Sequence, residues 1–170
     1  SGLVHRTKDI DGEEFDGYVD EAIGFLREMM ERGIWPNDVT VSVIVGAFGK
    51  CDQPRTTEAV SLIKKLCVDG IISRNNTKIA TSLVQLYGVD QNLGCALDAF
   101  RGIKRPDVAA INSLLHACLR CNNEAVALKT FNYYFQEDSK RQSPDVTSYS
   151  TMITFFLKKN SSGGSKAARK

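Results

Sequence analysis

The 170 residues are 42% apolar and 25% charged, enough for one domain with a packed core and too apolar for a disordered chain. The longest apolar runs, such as Phe155-Phe156-Leu157, fall far short of the roughly 20 residues that cross a membrane as a helix, so no membrane partner is expected. The net charge is +2, but Lys159, Lys166, Arg169 and Lys170 supply +4, which leaves residues 1–158 at −2; a broadly basic body that would grip any nucleic acid is excluded. Five scattered cysteines, Cys51, Cys67, Cys95, Cys118 and Cys121, do not form a disulfide framework and fit a reducing compartment.

In chain order, residues 1–13 are polar, with Asp9, Asp11, Gly12 and Glu13, and read as a flexible lead-in with no visible targeting segment. The hydrophobic spacing then predicts helices over 14–32, 39–50, 56–69, 77–88, 92–102, 108–121, 123–138 and 146–158. Residues 159–170 read as a disordered basic tail. The helical part, 14–158, is expected to be one repeat domain.

The repeat is written in four marks. Ala-aliphatic-x-x-apolar occurs at Ala22, Ala59, Ala96 and Ala127, in steps of 37, 37 and 31 residues. Interleaved with it, a polar residue stands two before an apolar pair at Ser42, Thr81, Asn112 and Ser150, in steps of 39, 31 and 38. Gly-Ile falls at Gly33, Gly70 and Gly102, and Pro-Asn or Pro-Asp at Pro36-Asn37, Pro106-Asp107 and Pro144-Asp145. Alanine allows close helix approach and is expected to be buried in all four units. Glycine suits a left-handed helix cap, proline blocks continuation, and Asn or Asp caps the next helix. Each unit is thus two antiparallel helices that bury their apolar stripe only by stacking. The fold class is all-α, a right-handed α-solenoid. The register gives a second helix alone, full units at 38–76, 77–107 and 108–145, and a first helix alone. The outer faces of the end helices, including Phe155, Phe156 and Leu157, are expected to lack cover and to favour end-to-end association or docking.

The stretches Pro106–Leu115, Pro144–Ile153 and Glu21–Asn37 resemble the pentatricopeptide repeat family over about residues 18–158. The resemblance implies a single-stranded RNA binder of mitochondria or chloroplasts, acting in RNA processing, stability or translation, one unit per base. By position, the base-reading pairs are Ser42 with Asn76, Thr81 with Asp107, and Asn112 with Asp145, implying adenine, guanine and uracil; Ser150 begins a fourth. The base-flanking position, usually a bulky aliphatic in this family, is Val39, Lys78, Ala109 and Thr147, of which Val39 fits. The phosphate-facing position is matched by Lys50, Arg120 and Lys158 and not by Val89. Asn112 is expected to face the groove, opposite the core-facing Leu114 and Leu115.

Each of these residues also has a plainer reading: solvated groove positions for the short polar side chains, helix caps for Asp107 and Asp145, and dipole-compensating helix ends for the cations. Cys118 and Cys121, three apart beside His116, supply too few ligands for a structural zinc site, and His5 is remote, so they read as helix-core cysteines and no metal is expected. Phe131, Tyr133, Tyr134 and Phe135 read as packing, with Tyr133 or Tyr134 turned outward, and Trp35 is expected to cover a helix end. No phosphate loop or deaminase signature is present; no catalytic residue and no cofactor is assigned. The competing function is a protein–protein adaptor or ribosome-associated scaffold built on the same solenoid, with proteins of an RNA-processing or ribosomal complex as partners.

Overall fold

The computed structural model describes residues 12–73, 75–136 and 142–163. Among them are eight α-helices and no strand: α1 (Gly12–Glu31), α2 (Asp38–Phe48), α3 (Thr56–Val68), α4 (Thr77–Val89), α5 (Leu93–Arg101), α6 (Val108–Arg120), α7 (Glu124–Phe131) and α8 (Val146–Gly163). Helix α1 starts inside the stretch expected to be lead-in, and α8 runs to Gly163, into the stretch expected to be tail. Residues 1–11 and 164–170 lie outside the described residues. The helix expected over 123–138 ends at Phe131 and gives way to a π-helical turn at Asn132–Gln136. The wider turn lets aromatic rings pack edge-on: Tyr134 against Phe100 with centroids 5.8 Å apart, and Phe135 against Phe131 at 5.2 Å.

The first helices of the units, α2, α4, α6 and α8, pack side by side in that order, and α5 and α7 each pack against the first helices on either side. This is an all-helical repeat solenoid. Two apolar clusters meet on α4. Val41, Ile44, Val45 and Phe48 of α2 join Ile79 and Leu86 of α4 in one, and Val84 of α4 joins Ile111, Leu114, Leu115, Met152 and Phe155 in the other. Burying Leu114 or Leu115 stabilises the array by about 1.5–3 kcal/mol each. Ala59, Ala96 and Ala127 are fully buried. Ala22 is only half-buried, contrary to expectation, because α1 packs chiefly on α2. Arg55 ties that end together. It reaches Glu58 at 2.6 Å and Asp20 of α1 at 2.7 Å, with its guanidinium 5.6 Å from the Phe48 ring centre.

The punctuation works as chemistry dictates, with two exceptions. Gly33 and Gly70 adopt φ of 74° and 71°, the left-handed caps that glycine permits. Gly102 stays right-handed, since Ile103 N–H closes the end of α5 by donating to Phe100 O at 3.0 Å. Trp35, expected over a helix end, is 64% exposed and covers none. No helix among the described residues is long and apolar enough to cross a membrane.

Candidate nucleic-acid interface

The residue that begins each first helix is built by a single local device. Asn37, Asn76, Asp107 and Asp145 place Oδ1 over free backbone N–H groups of the first turn. Thr40 N donates to Asn37 at 2.9 Å, Lys78 N and Ile79 N to Asn76 at 3.0 and 3.2 Å, Ala110 N to Asp107 at 2.8 Å, and Ser148 N to Asp145 at 2.8 Å. The caps are therefore real. The second terminal atom of Asn76 and of Asp107 makes no hydrogen bond in the described structure, and Asp145 Oδ2 takes none from a side chain.

The three expected pairs are assembled differently. Asn112 and Asp145 are in direct contact: Asn112 Nδ2 donates to Asp145 Oδ1 at 2.9 Å, and the fully buried Ser148 Oγ donates to Asn112 Oδ1 at 2.7 Å. Asn112 is 6% exposed, so it lies in the α6–α8 seam and not on the open groove as expected. The polar face of α6 is where α8 packs, and Ser148 supplies the partner that makes burial of the amide tolerable. The Asp145 carboxyl is held below the usual carboxylate range, first by the Ser148 backbone N–H and then by the Asn112 amide, so it stays ionised near neutrality. Thr81 and Asp107 line one open recess of about 380 Å³ with Ser42, Val39, Lys78 and Ala109. Thr81 Oγ1 donates to Thr77 O at 2.8 Å; Ser42 Oγ is buried and unbonded. Asn76 is not in that recess: it lines another, with Ile63, Asp98 and Ile103, so Ser42 and Asn76 do not share a pocket. Ser150 is exposed on α8.

Three of the four positions expected to flank bases, Val39, Lys78 and Ala109, thus form a row across the N-terminal ends of α2, α4 and α6, and Thr147 is exposed at the start of α8. Lys78 Nζ pairs with Asp38 at 3.0 Å, which holds its methylene stem along that row. At the opposite ends of the same helices lies a second recess of about 380 Å³. Lys50 and Arg120 line it with Gln85, Ser113 and His116, and no carboxylate does. Lys158 is exposed on α8. His116, a residue the sequence offered only as a metal ligand, faces this recess. It lies 3.2 Å from Thr151 Oγ1 and is held below the ordinary histidine range by burial and then by Arg120. Cys118 is buried and its thiol is pushed up to about 12 by desolvation, which disfavours the thiolate that a metal would need.

Residues 98–159 match the pentatricopeptide repeat domain. Three chloroplastic pentatricopeptide repeat-containing proteins of Arabidopsis thaliana are similar. One is 28% identical over 70% of this chain and 13% of its own length, a second 25% identical over 90% and 19%, and a third 30% identical over 71% and 13%. The chain thus spans less than a fifth of the length of these relatives. With the repeat marks, the paired helices and the capped first turns all in register, the chain belongs to the pentatricopeptide repeat family.

Proposed function

We propose that the chain is a sequence-selective, single-stranded RNA-binding module of an organellar RNA-processing, stability or translation factor, without catalysis of its own. The observation that carries this reading is the cap. A capping Asn or Asp spends Oδ1 on the backbone, and what remains is a donor on Asn and an acceptor on Asp. Asn76 therefore offers an N–H, and Asp107 and Asp145 each offer a carboxylate oxygen. Adenine has a bare ring nitrogen on its pairing edge where guanine and uracil have an N–H. A donor suits adenine and an acceptor suits guanine or uracil. Thr81 is short and leaves its recess open to a purine, whereas the Asn112 amide fills the seam beside Asp145 and suits a pyrimidine. The Val39–Lys78–Ala109 row would flank the bases and the Lys50–Arg120 recess would take phosphates. The chloroplastic relatives support the organellar setting.

The test is Asp145→Asn. The cap oxygen is retained and the outward acceptor becomes a donor, so preference at that base moves from uracil to cytosine, the pyrimidine with a bare ring nitrogen. Asn112→Thr, which recreates the Thr81–Asp107 pair, moves it towards guanine. A base contact discriminates by about 1–3 kcal/mol, measured at one salt concentration because the phosphate contribution varies with salt. Equal binding of uracil, cytosine and guanine oligonucleotides by all three proteins would refute base reading and leave the adaptor function in its place.

A further inference from the structure

One recess outside the groove lies between the α5–α6 link and the π-helical turn. It measures about 580 Å³ and is lined by Lys104, Arg105, Pro106, Tyr133, Tyr134 and Gln142. We infer that it binds a nucleoside 5′-phosphate, with the phosphate on Lys104 and Arg105 and the base on the ring of Tyr133.

Three features of the wall point to that chemistry. Lys104 and Arg105 are exposed and form no ion pair in the described structure. Together they supply the paired cations that a phosphate requires. Tyr133 is 47% exposed and its orientation is fixed edge-on by Tyr134, 4.8 Å away, which is itself braced by Phe100. An aromatic ring held this way presents a face for stacking at little entropic cost. Gln142 donates through Nε2 to Pro106 O at 3.1 Å, which leaves Oε1 as an acceptor for a base or ribose donor. A nucleotide matches a cation pair, an aromatic face and an acceptor together, whereas an acidic peptide would use only the cations. The recess also adjoins the groove: Pro106 lines it, and the next residue, Asp107, lines the recess of the Thr81 unit.

The site does not rest on base reading, and a mononucleotide tests it alone. In amide NMR titrations, uridine and adenosine 5′-monophosphates should shift residues 103–105 and 133–134. The Lys104→Ala/Arg105→Ala protein should bind them at least about tenfold more weakly, the loss of a charge-assisted contact. Tyr133→Leu should weaken both nucleotides and leave inorganic phosphate unchanged. Asp145→Asn should leave the shifts at residues 103–105 and 133–134 unaltered, which separates failure here from failure of base reading. Short oligonucleotides with and without a 5′-phosphate identify the source. Weakening of both by the double substitution assigns an internal nucleotide, weakening of the phosphorylated one alone a strand end, and of neither a free nucleotide. Every substituted side chain is exposed, and unchanged far-UV circular dichroism confirms folding; single Lys104→Met and Arg105→Met proteins serve if the double one is impaired. No shift at these residues, equal titration of wild type and double variant, or inorganic phosphate binding as tightly as the nucleotides would overturn the assignment.

Discussion

Gly88→Ala should destabilise the array although it places a better helix former in a helix. Gly88 is the penultimate residue of α4, and a Cβ built on it would stand 2.8 Å from Ala117 Cβ and 2.9 Å from Ala117 Cα on α6. Ordinary carbon contacts are about 3.5–4.0 Å, so α4 and α6 must part by most of an ångström at a junction where both helices are buried. The atoms in the way include backbone, which cannot swing aside as a long side chain can. Overpacking of this kind costs about 1–3 kcal/mol. The opposing gain in helix propensity is at most about 1 kcal/mol, and smaller here because Gly88 lies in the last turn. The expected net loss is about 1–2 kcal/mol, read as a lower urea midpoint with an unchanged slope. Gly24→Ala is the matched control: it sits in mid-α1 with nothing within 4 Å of its Cβ, and it should gain about 0.5–1 kcal/mol. If Gly88→Ala equals or exceeds the wild type while Gly24→Ala behaves as stated, the close approach of α4 and α6 does not constrain the fold.

Asn112→Ala should cost about 1–3 kcal/mol in thermal or urea melts, because it strips Asp145 and the buried Ser148 hydroxyl of a partner. Thiol titration of the native protein should modify the half-buried Cys67, Cys95 and Cys121 before Cys118, which is buried and has its thiol raised to about 12; equal reactivity of all four would contradict its burial. Stability should fall as pH drops below about 6.5: the depressed pKa of His116 means that the unfolded chain binds the proton first, so the stability present above the unfolded value is lost as pH falls through the folded one. His116→Gln should flatten that slope. Asp145, also depressed, follows the same sign in a separate window below about pH 4, where protonation removes the stability its ionised form provides.

What could be read from the sequence was what the backbone decides locally. Alanine at helix contacts, glycine at φ near 70°, and Asn or Asp over the first turn each act within a few residues, so their recurrence every 31–39 positions exposes the architecture and places the caps. Features that depend on a partner far along the chain were not legible. Asn112 looks like a groove residue until Ser148, 36 residues away, is seen to bury it. The π-helical turn sets Tyr134 against Phe100, 34 residues earlier, a contact that no local pattern announces. Ala22 matches its three counterparts in sequence, and only the packing of α1 on α2 tells them apart. Likewise, two basic residues in a link and a tyrosine beyond the next helix pair become neighbours only once α5, α6 and α7 are folded.

The bond between Asn112 and Asp145 has a bearing on how such arrays are cut and joined. One partner lies in the first helix of a unit and the other caps the first helix of the following one, with Ser148 of that following helix locking both. A duplication or domain swap with its breakpoint at Pro144 would separate the two halves of the pair. It would leave a buried amide facing whatever residue the incoming unit brought to the cap. A breakpoint after Ser148 moves the whole cluster as a piece. The unit of exchange in this chain is therefore offset from the helical hairpin by about one turn, and chimeras joined at that offset should fold where those joined at the visible loop do not.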